Sequence, residues 1–352
     1  MVRFTTPVTI VTGFLGSGKT TLINRILRES HGERIAVIEN EFGEVGVDAE
    51  FLATGGDETI IQLANGCVCC TVRGDLARAL HELAGRADAG DFHFDRVIIE
   101  TTGVADPGPV IQTFLAETAL LTRYHLDGVV ALADCLHAAE LLGERAEGRA
   151  QIAYADRLLI TKADQSDAAA QTSLETQLTE LNPRAEVRAV DIHAVPIDVL
   201  FALLFETRAH APDYIPPDEL ARTYQRAQAA SAVAPFGGKA RMAAGHLRDV
   251  VSCVFQSDEP IDLDCLNAFL DIAQGRYGAR LWRCKGLVYA RNLRQRLILQ
   301  GVQGVVQISG GTVWRNYEPR RTTLVFIGQE IEPHWIQEQL RVCLGDTSAA
   351  EA

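Results

Sequence analysis

Gly13-Phe14-Leu15-Gly16-Ser17-Gly18-Lys19-Thr20-Thr21 is the stretch on which the fold turns. It follows an apolar run, Val8 to Val11, and opens a helical run, Leu22 to Leu27. Strand, glycine loop and helix in that order are what make the pattern G-x-x-x-x-G-K-S/T a phosphate-binding loop rather than a glycine-rich turn. Glycines at 13, 16 and 18 let backbone N–H groups, that of Ser17 included, converge on phosphate oxygens where a Cβ would stand in the way. The helix N-terminus adds partial positive charge and free amide donors. Lys19 supplies a point charge for the β- and γ-phosphates, and the Thr20 hydroxyl suits Mg²⁺.

Outward from this loop, apolar runs and turn signals alternate. Residues 8–13, Ile35 to Ile38, Thr59 to Leu63, Arg96 to Ile99, Leu126 to Ala133, Leu158 to Ile160 and Val187 to Val190 are predicted strands. Helices are predicted over 18–29, 73–86, 107–117, 135–143, 169–181 and 195–205. Such alternation implies an α/β domain with a mainly parallel sheet covered by helices on both faces. A polar, alanine-rich stretch punctuated by Pro212, Pro216, Pro217, Pro235, Gly237 and Gly238 reads as a linker, with a short helix near 218–230. Beyond it come a strand at 250–255, a helix at 262–273, strands near 281–290, 296–308 and 322–327, and a helix at 333–344. That is the pattern of a smaller α+β domain with a largely antiparallel sheet. The expected organisation is a P-loop domain over 1–206, a linker over 207–248, a C-terminal domain over 249–345 and a frayed tail over 346–352.

Candidate functional segments lie at 13–20, 39–48, 100–103 and 161–164, each following a predicted strand. Open α/β sheets bind ligands at the carboxyl ends of their strands, so the four are expected to meet at one edge. Thr161-Lys162-Ala163-Asp164 has the form Asn/Thr-Lys-x-Asp. An Asp carboxylate accepts from both N1–H and the exocyclic amine of guanine, an edge that adenine does not offer. Lys162 is expected to lie along the base and the phosphate loop. Glu100 ends a strand where a carboxylate holds Mg²⁺ through water. Gly103 is placed to offer its N–H to the γ-phosphate and to act as a switch hinge.

Cys67-Val68-Cys69-Cys70 puts three thiols in four residues. Thiolates favour soft or borderline cations such as Zn²⁺, Cu(I) or Co²⁺. No second CxxC closes the site, so a coordination position stays open, as suits an ion that must leave again. A buried small-residue turn and a redox-active pair are the alternatives. Glu39, Glu41 and Glu44 precede the cluster on the segment expected to respond to the γ-phosphate, which favours a metal site coupled to the nucleotide. Cys135, Cys253, Cys265, Cys284 and Cys343 are isolated and read as small core residues. His125 and His137 read as structural.

The net charge of −13 argues against nucleic-acid and anionic-membrane partners. No apolar run reaches membrane-spanning length. The N-terminus leads at once into the first strand without a signal-peptide pattern, so a cytoplasmic chain with reduced thiols is expected rather than a disulfide framework.

Taken together, GFLGSGKTTL (13–22), IENEFGEVGVD (38–48), NGCVCC (65–70), ETTGVADPGPVIQTF (100–114), YADRLLITKAD (154–164), KGLVYA (285–290) and LVFIG (324–328) resemble the CobW-type GTPases, in their YjiA-like branch. The resemblance runs over most of the chain. It implies a GTP-hydrolysing metallochaperone that binds GTP or GDP with Mg²⁺ and carries Zn²⁺, or Co²⁺ or Ni²⁺, to a client metalloprotein. It implies nucleotide contacts at Gly13 to Thr21, Thr161, Lys162 and Asp164, and metal contacts at Cys67, Cys69, Cys70, Glu39 and Glu44. Two departures stand out: the thiol of Cys284, and the lack of the histidine-rich segment that many relatives carry. Lys19, Thr20 and Glu100 are the expected catalytic residues, and Glu41 is a candidate for holding the attacking water. A nucleotide-dependent metal sensor without turnover is the alternative function. The client, the physiological metal and homo-oligomer formation stay open.

Overall fold

The structure is a computed structural model and describes residues 5–29, 31–40, 59–62, 71–91, 93–205, 246–247, 250–315 and 318–344. The chain divides into two units, Met1–Ala209 and His210–Ala352.

The first unit holds seven strands: β1 (Thr6–Gly13), β2 (Ile35–Asn40), β3 (Thr59–Gln62), β4 (Arg96–Thr101), β5 (Tyr124–Asp134), β6 (Arg157–Thr161) and β7 (Glu186–Ala189). They form one sheet in the order β3-β2-β4-β1-β5-β6-β7, and every pairing is parallel. Interior strands read as continuous buried runs without polar alternation: Val97 to Ile99 in β4 and Val129 to Leu132 in β5. Helices on both faces bury them on both sides. The edge strand β7 is exposed along most of its length.

The helices are α1 (Lys19–Arg28), α2 (Thr71–Ala89), α3 (Gly108–Ala116), α4 (Thr118–Leu121), α5 (Ala138–Glu144), α6 (Ala146–Tyr154), α7 (Ala168–Leu181) and α8 (Ile197–Phe205). Leu22, Ile23, Ile26 and Leu27 of α1 join Leu200, Leu204 and Phe205 of α8 in one core with Val11, Val37, Ile98, Val130 and Leu159 of the sheet. The Asn182-Pro183 stop after α7 has a second use. The Asn182 side chain donates to the carbonyls of Ile152, Ala153 and Ala155, tying the end of α6 to α7.

Helix α6 is absent from the sequence reading. Residues Gly148 to Tyr154 are all buried, so no polar face marks a helical period.

The second unit contains β8 (His246–Leu247), β9 (Val250–Ser257), β10 (Leu281–Val288), β11 (Gln295–Val302), β12 (Val305–Val313) and β13 (Thr322–Gln329), with α9 (Leu263–Tyr277) and α10 (Pro333–Val342). The sheet order is β12-β11-β10-β13-β9-β8, with antiparallel pairings throughout. Three details differ from expectation. The apolar run 296–308 is two strands, not one, because Gln303 and Gly304 take positive φ (44° and 88°) and turn the chain back. His246 and Leu247, read as linker, pair with Val251 and Val250. Cys265 and Cys343, read as separate core thiols, form a disulfide with Cα atoms 5.2 Å apart. Their separation of 78 residues hid the pairing. The remaining linker and the tail from 345 onward lie outside the described residues.

Cys135, Cys253 and Cys284 are free and buried. Burial pushes the Cys253 thiol up to about 11 and that of Cys284 up to about 12, so both stay protonated. The thiol of Cys284 is thereby a core group rather than a ligand.

Candidate active site at the carboxyl edge of the parallel sheet

Because the strands are parallel, β1, β2, β3, β4, β5 and β6 all end at the same edge, at Gly13, Asn40, Gln62, Thr101, Asp134 and Thr161. The phosphate loop leaves β1 there. Gly13, Gly16 and Gly18 have φ of 134°, 77° and 97°, values that an L side chain disfavours. Gly13 also needs the space: a Cβ would lie 2.4 Å from the Leu132 carbonyl oxygen of β5. The Ser17 hydroxyl is buried with no partner among the described residues. Lys19 is buried, and its ammonium donates to the carbonyls of Gly13 (2.7 Å) and Phe14 (3.0 Å), which lays the charge across the mouth of the loop.

The Thr20 hydroxyl donates to Glu100 Oε1 at 3.1 Å. A hydroxyl and a carboxylate this close at a strand end fit Mg²⁺, which takes oxygen ligands and keeps several waters. Beneath them the Thr101 hydroxyl donates to that of Thr12 at 2.8 Å, locking β4 to β1. Gly103 lies against the phosphate loop so closely that a Cβ would sit 2.3 Å from the Leu15 amide nitrogen. Gln151 of α6 donates to the carbonyls of Gly103 (3.3 Å) and Ala105 (3.0 Å), tethering this segment to α6.

Across the sheet, the Thr161 hydroxyl donates to the Ser17 carbonyl at 2.8 Å, so the end of β6 is hydrogen-bonded to the phosphate loop. Asp164 is exposed and accepts no hydrogen bond among the described residues, leaving a carboxylate open for a base edge. The Lys162 ammonium does not turn to a phosphate-loop carbonyl; it donates to Asp134 Oδ2 at 2.7 Å. Asp134 is the group the sequence reading missed. Burial works against its charge, but Lys162, the Leu136 N–H and His137 outweigh burial and hold its carboxyl below the usual range. A lone Asp at the end of an apolar run carries no pattern that marks it.

Beside the loop, a cleft of about 650 Å³ is lined by Thr20, Thr21, Asn24, Arg25, Arg28, Glu29 and His193. Arg25 reaches across to the Ile192 carbonyl and pairs with Glu29 at 2.6 Å. His137 stays at the surface beside Asp134. His125 sits away from this edge near the start of β5, bonded to the Thr5 hydroxyl at 2.8 Å, and burial lowers its pKa to about 4.

Of the expected metal residues, only Glu39 has a described backbone. It pairs in register with Glu100 on one side and Gln62 on the other. Glu44, Cys67, Cys69 and Cys70 lie outside the described residues, as does Glu41.

This edge defines a P-loop domain of the GTPase type, joined in the chain to an antiparallel α+β unit. The chain belongs to the CobW/HypB/UreG family: the model of that family's nucleotide-binding domain matches residues 7–189. The cobalamin synthesis protein cobW C-terminal domain matches residues 250–344. The chain is 37% identical over 324 residues to the zinc chaperone YjiA of Escherichia coli K12, covering 92% of this chain and 94% of YjiA. It is 32% identical over 371 residues to the zinc chaperone CobW of Pseudomonas aeruginosa, covering 96% and 91% of the two chains. The crystal structure of Zn(II)-bound YjiA GTPase from E. coli is similar with a TM-score of 0.69 at 31% identity, over 97% of this chain and 99% of that one.

Proposed function

We propose that the chain is a GTP-hydrolysing metallochaperone that takes up a transition metal, zinc foremost, at Cys67, Cys69 and Cys70 with Glu39 and Glu44, and delivers it to a client metalloprotein in the cytoplasm. The relatives named as zinc chaperones support the zinc assignment. The observation that carries the coupling is the strand register. Gln62, Glu39 and Glu100 are lateral neighbours on β3, β2 and β4, and Glu100 bonds Thr20. Strands lie about 4.8 Å apart, so Gln62 is about 10 Å from Glu100. The cysteines follow in the segment 63–70 between β3 and α2.

In this reading Gly13 to Thr21 cradle the phosphates of GTP, and Thr20 with Glu100 holds Mg²⁺. When bound, the ion would neutralise charge on the phosphates. Gly103 offers its amide at the γ-phosphate position, and Thr161, Lys162 and Asp164 select guanine. Glu39 leads from the Glu100 neighbourhood directly into 40–48, the route by which loss of the γ-phosphate reaches the thiolates. Metal affinity rises with pH because thiols must deprotonate to bind.

Two variants test the reading. Lys19→Ala is expected to abolish multiple-turnover GTP hydrolysis, and retained turnover would reject the active-site assignment. Cys69→Ala is expected to weaken zinc binding in a chelator competition, and an unchanged titration would remove the thiols from the site.

A further inference from the structure

Asp134 ends β5 two residues beyond Leu132, whose carbonyl lies against Gly13. Its side chain is only 6% exposed. The carboxylate accepts from Lys162 Nζ at 2.7 Å and from the Leu136 N–H at 2.8 Å, and lies 3.2 Å from His137 Nδ1. Two more links join the same turn to the guanine-reading segment. The Cys135 N–H donates to the Thr161 carbonyl at 2.9 Å, and the Cys135 thiol lies 2.9 Å from the Ser166 hydroxyl.

Lys162 itself has φ 56° and ψ 28°, a left-handed backbone that is uncommon for a residue with a Cβ. Such conformations persist where the surroundings over-determine them, and they cluster at ligand sites. The 3₁₀ turn Ala163–Gln165, which carries Asp164, begins at the next residue. Any relaxation of Lys162 therefore swings Asp164.

We propose that Asp134 is a positioning residue for base selection: by anchoring the Lys162 ammonium from beneath, it fixes the left-handed bend that aims Asp164 at guanine. The proposal rests on reading Thr161 to Asp164 as the guanine-recognition segment. Of the carboxylate's contacts among the described residues, with Lys162, Leu136 and His137, the one to the guanine-reading segment is Lys162. Asp134 is buried while the Lys162 side chain is 34% exposed. Solvent screens the pair in part, so its removal is expected to cost about a factor of ten, below the effect of breaking a fully buried pair.

The test uses full-length protein and fluorescent GDP and ADP analogues. Asp134→Asn keeps the shape and removes the charge. It is expected to weaken GDP binding about tenfold while leaving ADP binding unchanged, and to raise KM for GTP more than it lowers kcat. A purely structural role would weaken both nucleotides together. Lys162→Met reaches the same pair from its partly exposed end, so it also serves if Asp134→Asn fails to fold. It is expected to give a similar loss of guanine preference. The double variant is expected to lose no more than about twofold beyond either single one, because both remove one interaction. Undiminished guanine preference in Asp134→Asn, or losses that multiply in the double variant, would overturn the proposal alone. A wild-type protein that binds ADP as well as GDP would overturn the guanine reading and the proposal with it.

Discussion

Replacing Gly103 by alanine is expected to deform the phosphate loop from outside it. A Cβ at Gly103 would lie 2.3 Å from the Leu15 nitrogen and 2.6 Å from its Cα. Both are backbone atoms, so no side-chain rotation relieves the contact. Ordinary contact lies near 3.5 Å, which demands a shift of about 1 Å. The segment is also tethered, since Gln151 donates to the carbonyls of Gly103 and Ala105. Overpacking of this kind costs about 1–3 kcal/mol. If that strain falls on the loop geometry, nucleotide affinity drops by about 5- to 150-fold. Gly85 provides the control. It lies within α2, and a Cβ there meets nothing within 4 Å. Gly85→Ala is expected to stabilise the protein by about 1 kcal/mol, the helix-propensity difference, with nucleotide affinity unchanged. Fluorescent GDP titration and thermal melting of both variants decide the matter. Binding by Gly103→Ala within twofold of wild type would refute the reasoning.

Reduction of Cys265–Cys343 is expected to lower the melting temperature of the C-terminal unit, because the bond closes a separation of 78 residues. The chain-entropy account puts the loss at about 4.5 kcal/mol, and melting with and without dithiothreitol checks it. Stability is also expected to fall in acid through His125, whose folded pKa of about 4 lies below its ordinary 6.5. The unfolded chain takes up this proton first, so stability is full above pH 6.5, declines toward pH 4 and then levels. The loss is at most about 3 kcal/mol, and His125→Gln is expected to flatten that part of the pH–stability curve. Asp167→Ala removes the side chain that caps α7 at Ala170 N, and is expected to cost about 1 kcal/mol in chemical denaturation.

What the sequence carried, and what it did not, follows from how each feature is encoded. The phosphate loop is local: Gly13 to Thr21 states its conformation, its charge and its helix start within nine residues. The parallel sheet was legible because buried runs such as Val97 to Ile99 have no polar face and alternate with helical spacing. Convergence of Glu100, Gly103 and Thr161 on the loop follows from parallel strands alone. Features set by contacts distant in sequence were not legible. Asp134 owes its role to Lys162, 28 positions away, and Gln151 to Gly103, 48 positions away. Helix α6 is buried from Gly148 to Tyr154 and hides its period, and the Gln303-Gly304 turn sits inside a run that reads as unbroken strand.

The central claim is that the nucleotide pocket and the thiolate cluster sense each other, and zinc affinity measured in three nucleotide states tests it most directly. A chromophoric chelator would compete for zinc with the protein alone, with GDP, and with a non-hydrolysable GTP analogue in the presence of Mg²⁺. Coupling of about 1–3 kcal/mol predicts zinc dissociation constants that differ by about 5- to 150-fold between the GDP and GTP-analogue states, with zinc shifting nucleotide affinity by the same factor. One dissociation constant common to all three states would contradict the account.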